Sequence, residues 1–189
     1  MADFPAQQVD LKNLKPVVMI GLMGAGKSRI GRELATRLDL PFVDADDEIV
    51  EAAGCSISDI FELYGEEAFR DVEKRVIFRL LEDKGTIIST GGGAFMNAEI
   101  RQAIADQGIS IWLRADLNIL VERTGRRSGR PLLENGDPKL ILQGLIEERY
   151  PVYAEADIVV ESQEVPIEDT VDETEKALEN FIANELNNE

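Results

Sequence analysis

The run Gly21-Leu22-Met23-Gly24-Ala25-Gly26-Lys27-Ser28 constrains this chain more than any other feature. It satisfies G-x-x-x-x-G-K-[ST] in full. It follows the β-branched run 17–20 and precedes Ile30, Leu34 and Leu38, spaced as on one face of a helix. A glycine-rich turn between strand and helix lets backbone N–H groups turn inward around an anion, and the helix adds the positive end of its dipole. In such a cradle Lys27 is placed for the β- and γ-phosphates, and the Ser28 hydroxyl for Mg²⁺. The plainer alternative is a glycine-rich turn that caps a helix. The complete motif in this context favours a nucleoside triphosphate site.

The rest of the chain repeats the alternation that the cradle requires. Short apolar runs at 17–20, 42–43, 86–89, 109–113 and 158–160 read as strands, several apolar on both faces. Between them lie helical stripes, the first stopped by Pro41. Phe69, Val72, Val76 and Leu80 form a second, which we expect Gly85 to end. Asn97, Asp116 and the pair Asp137-Pro138 are expected helix starts, and Val171, Leu178, Phe181 and Ile182 mark one side of a last helix. The pattern predicts an α/β fold with a mostly parallel sheet, whose ligands sit at the C-terminal strand ends. Residues 1–15 are polar and patternless, and a mobile extension is expected there. Residues 16–189 read as one domain.

Composition removes several chemistries. With no histidine, no His general base, Ser-His-Asp triad or His-ligated zinc is available. A single cysteine, Cys55, excludes an intrachain disulfide and fits a reducing cytosol, and the segment reads as inert. No apolar run approaches the roughly 18 residues of a membrane helix, and no signal segment opens the chain. A cytoplasmic protein is expected. Its 20 basic and 37 acidic residues give −17, which disfavours nucleic acid or an anionic membrane as partner. Residues 155–189 hold twelve acids against Lys176 alone, so −11 of that charge lies there and −6 on residues 1–154.

Further candidates cluster around the cradle in order. Asp44 and Asp46 end the second strand run. At i and i+2 of an extended chain both carboxylates face one side, able to serve Mg²⁺ and to accept a proton from an attacking hydroxyl. An acidic helix start is the alternative, because Asp47 and Glu48 follow. Gly91, Gly92 and Gly93 follow the third strand run. They imply positive φ or close approach of a ligand, unless they form a loose turn. Arg123, Arg126, Arg127 and Arg130 lie within eight residues beside Gly125 and Gly129, as in a cationic lid over phosphates or a solvated basic loop. Arg70 and Arg149 fall on expected helices, where their forks suit a carboxylate, but residue chemistry alone assigns neither. Trp112 reads as core.

Taken in order, these segments resemble the shikimate kinase family. They are the cradle, Asp44-Ala45-Asp46, Gly65-Glu66-Glu67-Ala68-Phe69-Arg70, Thr90-Gly91-Gly92-Gly93, Arg130-Pro131-Leu132-Leu133 and Glu147-Glu148-Arg149-Tyr150-Pro151-Val152-Tyr153. The resemblance runs from about residue 17 to 183. It implies ATP-dependent phosphorylation of the 3-hydroxyl of shikimate, a step towards aromatic amino acids, by a monomer. It also implies a nucleoside-monophosphate-kinase-like three-layer sandwich around a five-stranded parallel sheet, with a substrate-binding region near 45–73 and a lid near 125–137. By motif, Asp46 would bind the shikimate hydroxyls and be the base. Arg70 and Arg149 would clamp the carboxylate, Glu73 would orient Arg70, and Gly91, Gly92 and Gly93 would line that pocket. Ser28 would ligate Mg²⁺ directly and Asp44 through water. Lys27 and Arg130 would stabilise the transferring phosphoryl, with Arg123 and Pro166 flanking adenine. Arg29 departs from the family's usual Thr after the cradle serine, although Ser28 still supplies the hydroxyl. Another small-molecule kinase such as a gluconate kinase, or a nucleotide-binding module without transfer activity, are the competing readings.

Overall fold

The computed structural model describes residues 11–125 and 136–188. Five strands form one parallel sheet in the order β2-β3-β1-β4-β5. They are β1 (Val17–Ile20), β2 (Phe42–Asp44), β3 (Ile87–Ser89), β4 (Ile109–Arg114) and β5 (Ile158–Glu161). Seven helices intervene among the described residues: α1 (Lys27–Leu38), α2 (Ala45–Ala53), α3 (Ile57–Leu80), α4 (Ala98–Gln107), α5 (Leu117–Gly125), α6 (Pro138–Tyr153) and α7 (Ile167–Asn188). The central strand β1 is buried at every residue and β3 likewise, so both faces are covered. The register pairs Val17 with Ile87 on one side and Ile109 on the other, which aligns the C-terminal ends of β1, β3 and β4. Those aligned ends carry the cradle and the glycine run.

Local chemistry explains the helix boundaries. Asp44, Ser56, Asn97 and Asp137 each cap a helix with a side-chain acceptor, and Ser56 with Asp59 completes a capping box. By contrast α1 begins at Gly26 with no side-chain cap and no acid in its first turn. Its leading N–H groups therefore face the cradle without a competing side chain. Gly24 and Gly26 have φ of 85° and 102°, conformations that a side chain would strain.

Three expectations are revised. Strand β2 stops at Asp44, so Asp46 lies in the first turn of α2 and not on an extended chain. The acidic helix start is real, with Asp44 accepting from the Asp46 N–H at 3.1 Å. The stripe from Phe69 to Leu80 ends with α3 at Leu80, five residues before Gly85, and α3 itself begins at Ile57 with a break at Gly65. In the segment expected to be a mobile extension, Leu11–Asn13 form a short 3-10 turn. The Leu14 carbonyl accepts from the Gly85 N–H at 2.7 Å, which ties this turn to the entry of β3.

Candidate active site

The cradle opens into a cleft of about 1230 Å³ whose walls include Lys27, Ser28, Asp44, Asp46, Gly91 and Arg123. A single small-molecule site usually occupies roughly 300–1,000 Å³, so this cleft has room for two ligands. The Lys27 ammonium donates to the carbonyls of Gly21 at 2.9 Å and Leu22 at 3.1 Å, which holds it against the cradle. The Ser28 hydroxyl lies 3.1 Å from that of Ser89 at the end of β3. Arg29 is exposed in the first turn of α1 and lines the same cleft.

Asp46 reaches the cleft although its backbone is helical. Burial pushes its carboxyl above the ordinary carboxylate range and Asp44 beside it adds to the rise, while Lys27 draws it back. A carboxylate with raised affinity for protons suits a general base, because its driving force for accepting one is larger.

The glycine run has no positive φ, so that half of the expectation fails. Close approach is the reason for it, by the protein's own side chains where a ligand was expected. A Cβ on Gly91 would stand 3.1 Å from Asp46 Oδ1 and 3.2 Å from Glu73 Oε1. One on Gly92 would stand 3.5 Å from an Arg149 nitrogen, and one on Gly93 2.7 and 2.8 Å from the two outer nitrogens of Arg70. Three consecutive residues thus meet two acids and two arginines from α2, α3 and α6. Glu73 is 1% exposed and accepts from Arg70 at 2.8 Å, while Glu66 accepts from the other Arg70 nitrogen at 3.2 Å. Burial pushes the Glu73 carboxyl up, and the Arg70 guanidinium opposes that rise. The Arg149 Nε is buried with no hydrogen-bond partner among the described residues.

At the other end of the cleft, Arg123 donates to the Ser162 hydroxyl at 2.7 Å and the Gln163 carbonyl at 2.6 Å. Ser162 in turn donates to the Ala25 carbonyl at 2.8 Å, joining the cradle to the β5–α7 connection. Val165 and Ile167 line the cleft there, with exposed Pro166 between them. Arg126, Arg127 and Arg130, with most of the expected lid, lie outside the described residues. The sequence reading missed Ser89 and Ser162, and it named Tyr153 within the segment 147–153 without a task, although its hydroxyl donates to the Gly92 carbonyl. Ser89 and Ser162 stand at or just past strand ends, a position that signals a site; the partner of Tyr153 lies 61 residues away and leaves no local mark.

The family model described as shikimate kinase matches residues 23–179 of this chain. The chain belongs to the shikimate kinase family. Curated shikimate kinases of Brucella canis and Rhodopseudomonas palustris are 58% and 52% identical to it over 144 and 168 residues. These matches span 76% and 89% of this chain, and 72% and 83% of the relatives. Among solved structures, shikimate kinase from Acinetobacter baumannii in complex with shikimate superposes with a TM-score of 0.86 at 34% identity, covering 93% of this chain and 97% of that one. A gluconokinase from Sinorhizobium meliloti superposes at 0.62 with 18% identity, covering 92% and 96%, and shares the fold. The five-stranded parallel sheet expected from the resemblance is therefore that of the P-loop kinases. The shikimate kinase family is ATP-dependent, which agrees with the intact cradle. No helix among the described residues is long and apolar enough to cross a membrane.

The residues at hand fit Mg²⁺. Ser28, Asp44 and Asp46 are hard oxygen donors on one cleft, and the described residues hold no group of three His, Cys, Asp or Glu that would form an all-protein cage. That is the donor set of a cation held by one or two side chains together with phosphate and water.

Proposed function

We propose that this protein transfers the γ-phosphoryl group of ATP to the 3-hydroxyl of shikimate, giving shikimate 3-phosphate and ADP. The observation that carries this reading is the meeting of Asp46, Glu73, Arg149 and Arg70 on three successive glycines beside a nucleotide cradle. Such a site offers two guanidinium groups to a carboxylate and a basic carboxylate to a hydroxyl. Membership of the family supports the same substrate, as does the likeness to a relative solved with shikimate.

In this reading transfer is direct and in line, without a covalent enzyme intermediate. Arg70 and Arg149 hold the substrate carboxylate, with Glu73 fixing the Arg70 plane. Asp46 orients the hydroxyls and takes the proton from the attacking one. Lys27 and Arg130 offset charge on the moving phosphoryl, while Gly24, Ala25, Gly26, Ser28 and Arg29 hold the phosphates and Arg123 with Pro166 flanks adenine. Ser28 would hold Mg²⁺ directly and Asp44 through water, and the bound ion would neutralise charge on the phosphate oxygens. Arginines within 125–137 close over the nucleotide and suppress hydrolysis. The enzyme acts as a cytoplasmic monomer.

The test is coupled ADP release with shikimate, gluconate or no acceptor. Release only with shikimate is expected. Equal release with gluconate overturns the substrate, and nucleotide binding without release in any arm, in folded protein, overturns the activity.

A further inference from the structure

Tyr153 belongs to the segment 147–153 that carries part of the family resemblance, yet the reading above gives it no task. Its side chain is fully buried, and its hydroxyl donates to the carbonyl of Gly92. Arg149 lies four residues earlier, on the same face of α6, and one of its nitrogens would stand 3.5 Å from a Cβ on that glycine, as would the Gly21 carbonyl oxygen. One helix therefore presents a cation and a hydroxyl to the same residue of the glycine run.

The ring has little freedom to move. It packs against Phe95, Trp112 and Tyr150, with centroids 6.4, 5.9 and 6.2 Å away. Burial pushes the phenol up to about 12, so the hydroxyl stays a proton donor throughout the neutral range. Farther along the same loop, Arg101 donates to the carbonyls of Phe95 at 3.0 Å and Met96 at 3.3 Å. Arg101 is itself paired at 2.8 Å with Glu155, two residues beyond Tyr153. The segment 92–96 is thus tied at one end to Tyr153 and at the other, through Arg101, to Glu155 just past α6.

We propose that Tyr153 is a positioning residue for the acidic substrate: its hydroxyl fixes the Gly92 carbonyl, and so sets the glycine run against Arg149, Arg70 and Asp46. The inference rests on the shikimate reading. It assigns the hydroxyl to substrate affinity and not only to packing of the aromatic cluster.

The test compares Tyr153→Phe with Tyr150→Phe. The second variant removes a hydroxyl from the same cluster, one that donates to Ala115 and not to the glycine run. For Tyr153→Phe, KM for shikimate should rise about three- to tenfold, the scale of one lost hydrogen bond, with KM for ATP unchanged. Tyr150→Phe should leave KM for shikimate unchanged. An unchanged KM in Tyr153→Phe, or an equal rise in both variants, overturns the inference. Failure of the unsubstituted enzyme to turn over shikimate overturns the functional reading and this inference with it. Should Tyr153→Phe not fold, the chain has only two other tyrosines, Tyr64 and Tyr150, so fluorotyrosine labelling gives an assignable ¹⁹F resonance for Tyr153. That resonance should move on saturation with shikimate but not with ATP; no movement with shikimate overturns the inference.

Discussion

Asp46 sets two demands against each other at one carboxylate. Burial raises its affinity for a proton, so the ionised form that the proposed base needs is the form the fold disfavours. The stability this group contributes is fully present below its unfolded value near 3.8 and is lost as pH rises through the raised folded value. Asp46→Asn should therefore melt at a higher temperature than the parent at pH 7 while turnover falls by at least about a hundredfold. A thermal melt and one rate measurement check both. The parent's turnover should fall on the acid side with a midpoint above the ordinary carboxylate value. Gly93 makes a complementary case. Its φ of −93° suits alanine, yet a Cβ there would strike the Arg70 guanidinium, the far end of a flexible side chain. Gly93→Ala should change stability by less than about 1 kcal/mol. It should raise KM for shikimate at least about tenfold through the displaced charged contact, with KM for ATP as the internal control.

Among the elements, α3 gains most from its irregularity. Gly65 interrupts it with φ 82° and ψ 175°, so the turn bearing Phe61 and Tyr64 departs from the line of the turns bearing Arg70 and Glu73. No atom would touch a Cβ at Gly65, so the cost of Gly65→Ala is conformational alone, about 1–3 kcal/mol. Urea unfolding should show it as a lower midpoint at unchanged slope. Elements of this kind also mark how far the sequence was legible. The cradle, the five strands and the caps at Asn97 and Asp137 follow from local chemistry and were read directly. Asp46 lies beside the cradle as expected, but on a helix and not on a strand, because Asp44 caps α2 and turns the chain two residues earlier than expected. The glycine run was read as asking for unusual φ or close approach, and only the packed structure decides between them. Ser162 and Tyr153 act on backbone carbonyls 137 and 61 residues away, contacts that no local period encodes.

For the molecule as a whole, the charge of −17 and the anionic ligands are reconciled by position. Acids crowd α7 and the segment before it, while Lys27, Arg70, Arg123 and Arg149 converge on the C-terminal ends of the strands. Self-repulsion of the acidic surface should be screened by salt, so the melting temperature should rise between 10 and 150 mM NaCl, over which the Debye length shrinks from about 30 to about 8 Å. Affinity for ATP should fall over the same range, since salt also screens the cradle. A single phosphoryl transfer to one hydroxyl can be read from ³¹P NMR of the products after incubation with ATP, Mg²⁺ and shikimate. One new phosphate monoester is expected, coupled to the proton on carbon 3, in equal amount to ADP. Inorganic phosphate with no phosphate ester of shikimate, or an ester on another hydroxyl, would contradict it.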